Sequence, residues 1–106
     1  MISEHLAQSE GTVLVVEAVN ADNISVAAAS ATTTTAVTIT KAGYTPIGVV
    51  GWFITSATSS GTNNNWVVPN LLRVSSNTQA SYVLRNVNTS AAAKVKLTMY
   101  ILYKKN

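Results

Sequence analysis

The stretch from Lys94 to Lys104 (KVKLTMYILYK) constrains the fold more than any other part of this chain. Val95, Leu97, Met99, Ile101 and Tyr103 alternate with Lys94, Lys96, Thr98, Tyr100, Leu102 and Lys104. A period of two sends the first set to one face of a strand and the second set to the other. The first set is a core face. The second begins polar and turns apolar toward the C-terminus. A strand this long needs partners, and the rest of the chain is written to supply them. Thr and Val number 14 each, and Ser, Thr and Asn together number 35 of 106 residues. Polar but uncharged, β-branched sequences suit half-buried strands joined by Asn and Ser turns, and they suit helices poorly.

Further strands are predicted over Thr12 to Val19, Ile24 to Ala28, Ala36 to Lys41, Pro46 to Thr55, Trp66 to Ser75 and Gln79 to Val87. Pro69-Asn70 interrupts Trp66 to Ser75, the fifth of the seven in chain order, so it is expected at a sheet edge or in two pieces. Ala27 to Ala36 reads as a loop or an edge strand, and Ser56 to Asn65 as a polar loop. The pattern predicts an all-β chain: an antiparallel β-sandwich, jelly-roll-like, of about seven strands. At this length one domain is expected. It divides into residues 1–22, an acidic docking segment plus first strand, and residues 23–106, the sandwich module.

Two strands are apolar on both faces. Around Ile47, strict alternation sets Ile47, Val49 and Phe53 against Val50, Trp52 and Ile54. Around Val13 it sets Val13, Val15 and Val19 against Leu14, Val16 and Ala18. A sandwich of this size has one interior, so the second faces need cover from a chain segment or from another subunit. A subunit interface is the expectation, with Val50, Trp52, Ile54, Tyr100 and Leu102 as its candidate residues.

Chemistry is sparse. Glu4, Glu10, Glu17 and Asp22 are the only acids, His5 is the only histidine and there is no cysteine. A nucleophile–base–acid set, a carboxylate pair for glycoside hydrolysis and a recognised metal spacing are all missing, so no enzyme, metal or cofactor is expected. The seven bases all follow position 40 and are scattered along strands, with no RNP-type or zinc-finger pattern, which argues against nucleic-acid binding. An acidic head and a basic body permit contact between neighbouring subunits. No apolar run approaches the ~20 residues of a membrane span, and the N-terminus lacks the marks of a secretory signal. Asn63, Asn64, Asn65 and Trp66 combine amides with an aromatic at the end of the polar loop, an arrangement able to contact sugar. Trp66 reads equally as a core residue, whereas Trp52, inside an apolar strand, reads as core or interface.

The stretch Lys41-Ala42-Gly43-Tyr44-Thr45-Pro46-Ile47-Gly48-Val49-Val50-Gly51-Trp52, the strand Tyr82-Val83-Leu84-Arg85-Asn86 and the ending Ala93 to Lys104 together resemble small β-rich domains of tailed-bacteriophage and prophage virion-surface proteins, of tail-fibre or head-fibre type. The resemblance spans about residues 32–104. It implies a β-sandwich assembled as a homotrimer on the particle, made in the bacterial cytoplasm, in contact with other virion proteins and with a host surface glycan. It supplies no binding residue. Only about 30 residues precede the module, so no long shaft is expected. A capsid decoration or head-fibre protein docking through residues 1–22, and a free carbohydrate-binding module, are the alternative expectations.

Overall fold

The computed structural model describes residues 12–58 and 64–106. Six strands make up nearly all of them: β1 (Leu14–Val26), β2 (Thr35–Thr38), β3 (Tyr44–Ser56), β4 (Val67–Ser76), β5 (Gln79–Asn86) and β6 (Ala93–Lys105). A single 3-10 turn, Asn64–Trp66, precedes β4. The strands form two antiparallel sheets, ordered β1-β6-β3 and β2-β5-β4. The chain is therefore an all-β sandwich.

Six strands replace the expected seven because the first two are one. β1 runs through Asp22 and Asn23, where its pairing with β6 slips between Ala21 and Ile24. Asn23 takes φ +57 there, a left-handed conformation that Asn tolerates better than most residues. The extra residues are absorbed as an irregularity, and the strand resumes at Ile24 opposite Val95. β1 thus crosses position 22. β4 is likewise continuous through Pro69, with Asn70 left out of the ladder between Pro69 and Leu71. β4 is an edge strand, where the missing proline N–H is least costly.

The core follows from β6, the central strand of its sheet. Val95, Leu97, Met99, Ile101 and Tyr103 are all 0–1% exposed. They pack with Ile24 and Val26 of β1, and with Val67, Ala80, Tyr82 and Leu84 from the opposing sheet. Each such side chain contributes about 1.5–3 kcal/mol by leaving water. Two polar groups tie the sheets together inside this core. The Tyr103 hydroxyl donates to the Ile39 carbonyl at 2.6 Å. Asn86, fully buried, donates to the carbonyls of Val26 (3.1 Å) and Ala91 (2.9 Å) and accepts the Asn88 N–H (2.9 Å).

The body is elongated, 59 × 26 × 22 Å with a radius of gyration of 16.9 Å. A compact chain of this length would have about 13 Å. Sheets only three strands wide leave much of each edge strand uncovered. No helix among the described residues is long and apolar enough to cross a membrane.

Candidate functional site

Two surfaces stand out: the outer face of the β1-β6-β3 sheet, and a groove between β3 and β4. Both are shaped by bulges in β3. Its register against β6 slips between Pro46 and Gly48 and again between Val49 and Gly51, so Ile47 and Val50 are the extra residues. Each slip breaks strict alternation. Trp52 lies opposite Met99 and Ile54 opposite Leu97, on the inner side of the sheet, while Phe53 lies opposite Thr98 on the outer side. Val49, at Ile101, is again inner. The grouping of Val49 with Phe53 by simple alternation therefore does not hold. The glycines at Gly48 and Gly51 were the available signal, since glycine within a strand marks a bulge.

The candidate interface residues consequently fall on different surfaces. Tyr100 and Leu102 lie on the outer face, opposite Gly51 and Gly48 on one side and Ala18 and Val16 on the other. Phe53 joins them, its ring centroid 6.1 Å from that of Tyr100. A Cβ at Gly51 would lie 3.4 Å from Tyr100 Cδ2, so the bare backbone leaves that ring its place. Leu14 and Val16 complete the patch, both about half exposed. Leu14, Val16 and Phe53 were not among the named interface candidates, although Leu14 and Val16 read as one apolar face of a strand apolar on both. At the polar margin of the same face Thr98 donates to Asn20 Oδ1 at 2.7 Å.

Val50 and Trp52 line the groove instead, 56% and 47% exposed. Pro69, Asn70, Leu71 and Leu72 of β4 form the other wall, and the groove encloses about 720 Å³. The bulges at Val50 and Asn70 lie on its facing walls. Among the described residues no ionisable side chain lines it. Ile54 is half-buried against the core.

The candidate contact residues separate as well. Trp66 is half-buried and packs against the core, and its carbonyl accepts the Val87 N–H at 2.8 Å. Asn65 is exposed beside it, and Asn64 begins the 3-10 turn. Asn63 lies outside the described residues. Of the two tryptophans, it is Trp52 that presents the more open ring.

The described acids, Glu17 and Asp22, both sit on β1. Glu17 pairs with Lys41, whose Nζ also lies 5.0 Å from the Tyr44 ring centroid. The hydrogen bond from Lys41 to Glu17 raises the Lys41 pKa above its ordinary value. Asp22 accepts the N–H groups of Thr58 (3.1 Å) and Asn23 (2.8 Å), and the Thr58 side chain and backbone hold its carboxyl below the usual range. Burial pushes Tyr82 and Tyr103 up. Among the described residues no three His, Cys, Asp or Glu side chains gather as metal ligands would.

No family model, curated protein or solved structure matches this chain.

Proposed function

We propose that this chain is a non-enzymatic bacteriophage virion structural protein, displayed on the particle surface, of tail-fibre or receptor-binding type, and that it works as a homotrimer. One observation supports this reading most. Two of the three stretches that carry the resemblance, Lys41 to Trp52 and Ala93 to Lys104, fall largely in β3 and β6, hydrogen-bonded neighbours along 11 register pairs, and they meet in a largely apolar outer face. Gly48 and Gly51 of the first stretch lie directly across from Leu102 and Tyr100 of the second. Those two stretches therefore build one surface, and it is a surface that gains from being covered. The function is presentation. Three copies of each loop on one trimer let weak contacts to host glycans sum by avidity.

The test is made on particles. Virions of the phage that encodes the chain are purified through a density gradient, their proteins identified by mass spectrometry, and intact particles labelled with antibody against the chain. Its presence in purified particles, with label on intact ones, is expected. Absence from particles in which other structural proteins are detected would overturn the proposal, and label that appears only after disruption would overturn surface display.

A further inference from the structure

We propose that residues 1–11 fold back across the outer face of the β1-β6-β3 sheet of their own chain, Ile2 and Leu6 on its apolar patch and the acids Glu4 and Glu10 toward Lys104 and Lys105. This goes beyond the virion reading and does not depend on it. The patch is the outer side of three adjoining strands: Leu14, Val16 and Ala18 of β1, Leu102 and Tyr100 of β6, and Phe53 of β3. Leu14, Val16 and Phe53 are 51%, 52% and 43% exposed. Gly48 and Gly51 bring no side chain to the β3 side of Leu102 and Tyr100. An apolar face of this kind gains from cover.

The chain itself arrives at that face. Thr12 precedes Leu14 by two positions, and Leu14 lies across from Lys104 at one end of the patch. Val13 accepts the Lys105 N–H at 2.8 Å, so the start of the described chain is tied beside the two lysines. From Lys104 along β6 to Thr98, the residue opposite Phe53, is about 20 Å. Eleven extended residues reach about 36 Å, enough to turn at Gly11 and run the length of the patch. Ile2 and Leu6 share a side whether the spacing is read at a period of two or of 3.6.

Charge selects the same face. Residues 1–11 hold Glu4 and Glu10 and no lysine or arginine. Lys104 and Lys105, with Thr45, Ile47 and Asn106, line a pocket of about 330 Å³ at the Leu14 end of the sheet. The described acids are engaged elsewhere. Glu17 pairs with Lys41, and Asp22 accepts from Thr58 and Asn23 with Lys96 near it. Even with the α-carboxylate of Asn106 set against them, Lys104 and Lys105 leave this end positive. The β3/β4 groove offers the two acids no such partner, since among the described residues nothing ionisable lines it. The short link to Leu14 holds the segment at this face at an effective concentration on the order of millimolar, which a second copy in dilute solution does not match. β1 already takes Leu14 to Asp22, so residues 1–11 are what remains ahead of it of the expected docking segment, and here they cap the fold instead.

The experiment is paramagnetic relaxation on the full-length, 15N-labelled chain. The protein has no cysteine, so Gln8→Cys carries a nitroxide label at one site and leaves Ile2, Leu6 and both acids in place. The amide signals of Val16, Ala18, Gly48, Tyr100 and Leu102 are expected to broaden several-fold more than those of Leu72, Tyr82 and Leu84 in the opposing sheet. When spin-labelled chain without 15N is mixed with 15N chain without the spin label, no broadening is expected. Glu4→Lys with Glu10→Lys should abolish the contrast between the sheets, and adding Lys104→Glu and Lys105→Glu should restore it. If circular dichroism shows that the labelled chain has lost its strands, Ser3→Cys carries the label. If the charge variants have lost theirs, Glu4→Gln with Glu10→Gln takes their place, again with loss of contrast expected.

Broadening that is equal on the two sheets, or absent, overturns the proposal. So does a contrast that survives in the charge-altered chain. Broadening that passes to the 15N chain in the mixture overturns it as well and assigns the cover to a second copy. Absence from virions leaves each of these readouts unchanged, so this proposal and the virion reading fail separately.

Discussion

Replacing Asn86 by alanine should be among the costliest single changes in this chain. The side chain is fully buried and makes three hydrogen bonds, to the Val26 carbonyl, the Ala91 carbonyl and the Asn88 N–H. The first joins β5 of one sheet to the end of β1 in the other. The remaining two hold the turn that leads into β6. The bond to Val26 is buried, and leaving that carbonyl without its donor costs about 1–3 kcal/mol. The two turn bonds are partly buried, where water can replace part of what is lost, at about 0.5–1.5 kcal/mol each. The expected total is about 3–4 kcal/mol, a large share of the ~5–15 kcal/mol that holds a domain folded. With a urea slope of about 1–1.5 kcal/mol per molar for a chain this small, the midpoint should fall by roughly 2–4 M. The assay is urea unfolding followed by tryptophan fluorescence and by far-ultraviolet circular dichroism. Protein concentration is held fixed, because assembly adds to apparent stability. Asn88→Ala is the control. Its side-chain oxygen serves only the local turn, taking the N–H groups of Ser90 and Ala91, and its loss should cost about 1 kcal/mol. If Asn86→Ala unfolds within 1 kcal/mol of the unaltered chain, Asn86 is not the link between the sheets described above.

Two further outcomes follow from local geometry. Gly43 takes φ +79, so Gly43→Ala should cost about 1–2 kcal/mol although nothing crowds the site, and an unchanged urea midpoint would show that the turn relaxes. Tyr82 and Tyr103 have folded pKa values raised above 10.0, mainly by burial. Between pH 10 and those values the unfolded chain gives up phenolic protons that the folded chain keeps, so stability is intact below pH 10 and declines above it. Urea midpoints at pH 8, 9.5 and 11 should show the decline, and Tyr103→Phe should flatten it. A midpoint that holds steady through pH 11 would mean that neither phenol stays protonated by burial.

The strands of this sandwich were legible wherever local pattern and tertiary position agreed. Lys94 to Lys104 alternates without interruption, and β6 is central with one face wholly buried, so its inner residues could be read directly. β5 was equally plain. Legibility failed at the bulges, for a physical reason. Strict alternation assumes one residue against one, and an extra residue at Val50 reverses every face assignment between Val49 and Trp52. The same ambiguity made β1 look like two strands, because Asp22 and Asn23 are turn-forming residues that here serve an irregularity inside one strand. At the candidate site, Val50 and Trp52 could be selected as exposed apolar residues, yet not as a surface separate from Tyr100 and Leu102. The groove needs β4 beside β3, and these strands lie in different sheets. Nothing local in either segment encodes that proximity. Trp66 shows the converse. Its polar flank left contact and core equally open, and the turn from Asn64 to Trp66 places it against the core.

The width of the sheets connects the fold to the proposed assembly. In a three-stranded sheet only the middle strand is flanked on both sides, and here β6 and β5 hold most of the fully buried side chains. The edge strands β1, β3 and β4 can bury only the residues that lean inward, and their remaining valines, leucines and aromatics face water. Edges of this kind carry free backbone groups and invite uncontrolled pairing unless something blunts them. β3 and β4 are blunted by bulges and by Pro46 and Pro69, devices that disrupt regular strand addition while leaving apolar side chains available. β1 carries its irregularity only near its far end and is smooth from Leu14 to Ala21. One edge is thus smooth, and the opposite edge is bulged and lined by a groove. An edge built to exclude strand addition yet keep Trp52 and Val50 exposed is suited to side-chain docking. The two edges therefore differ in kind, and the bulges that obscured the sequence pattern are the features that separate them.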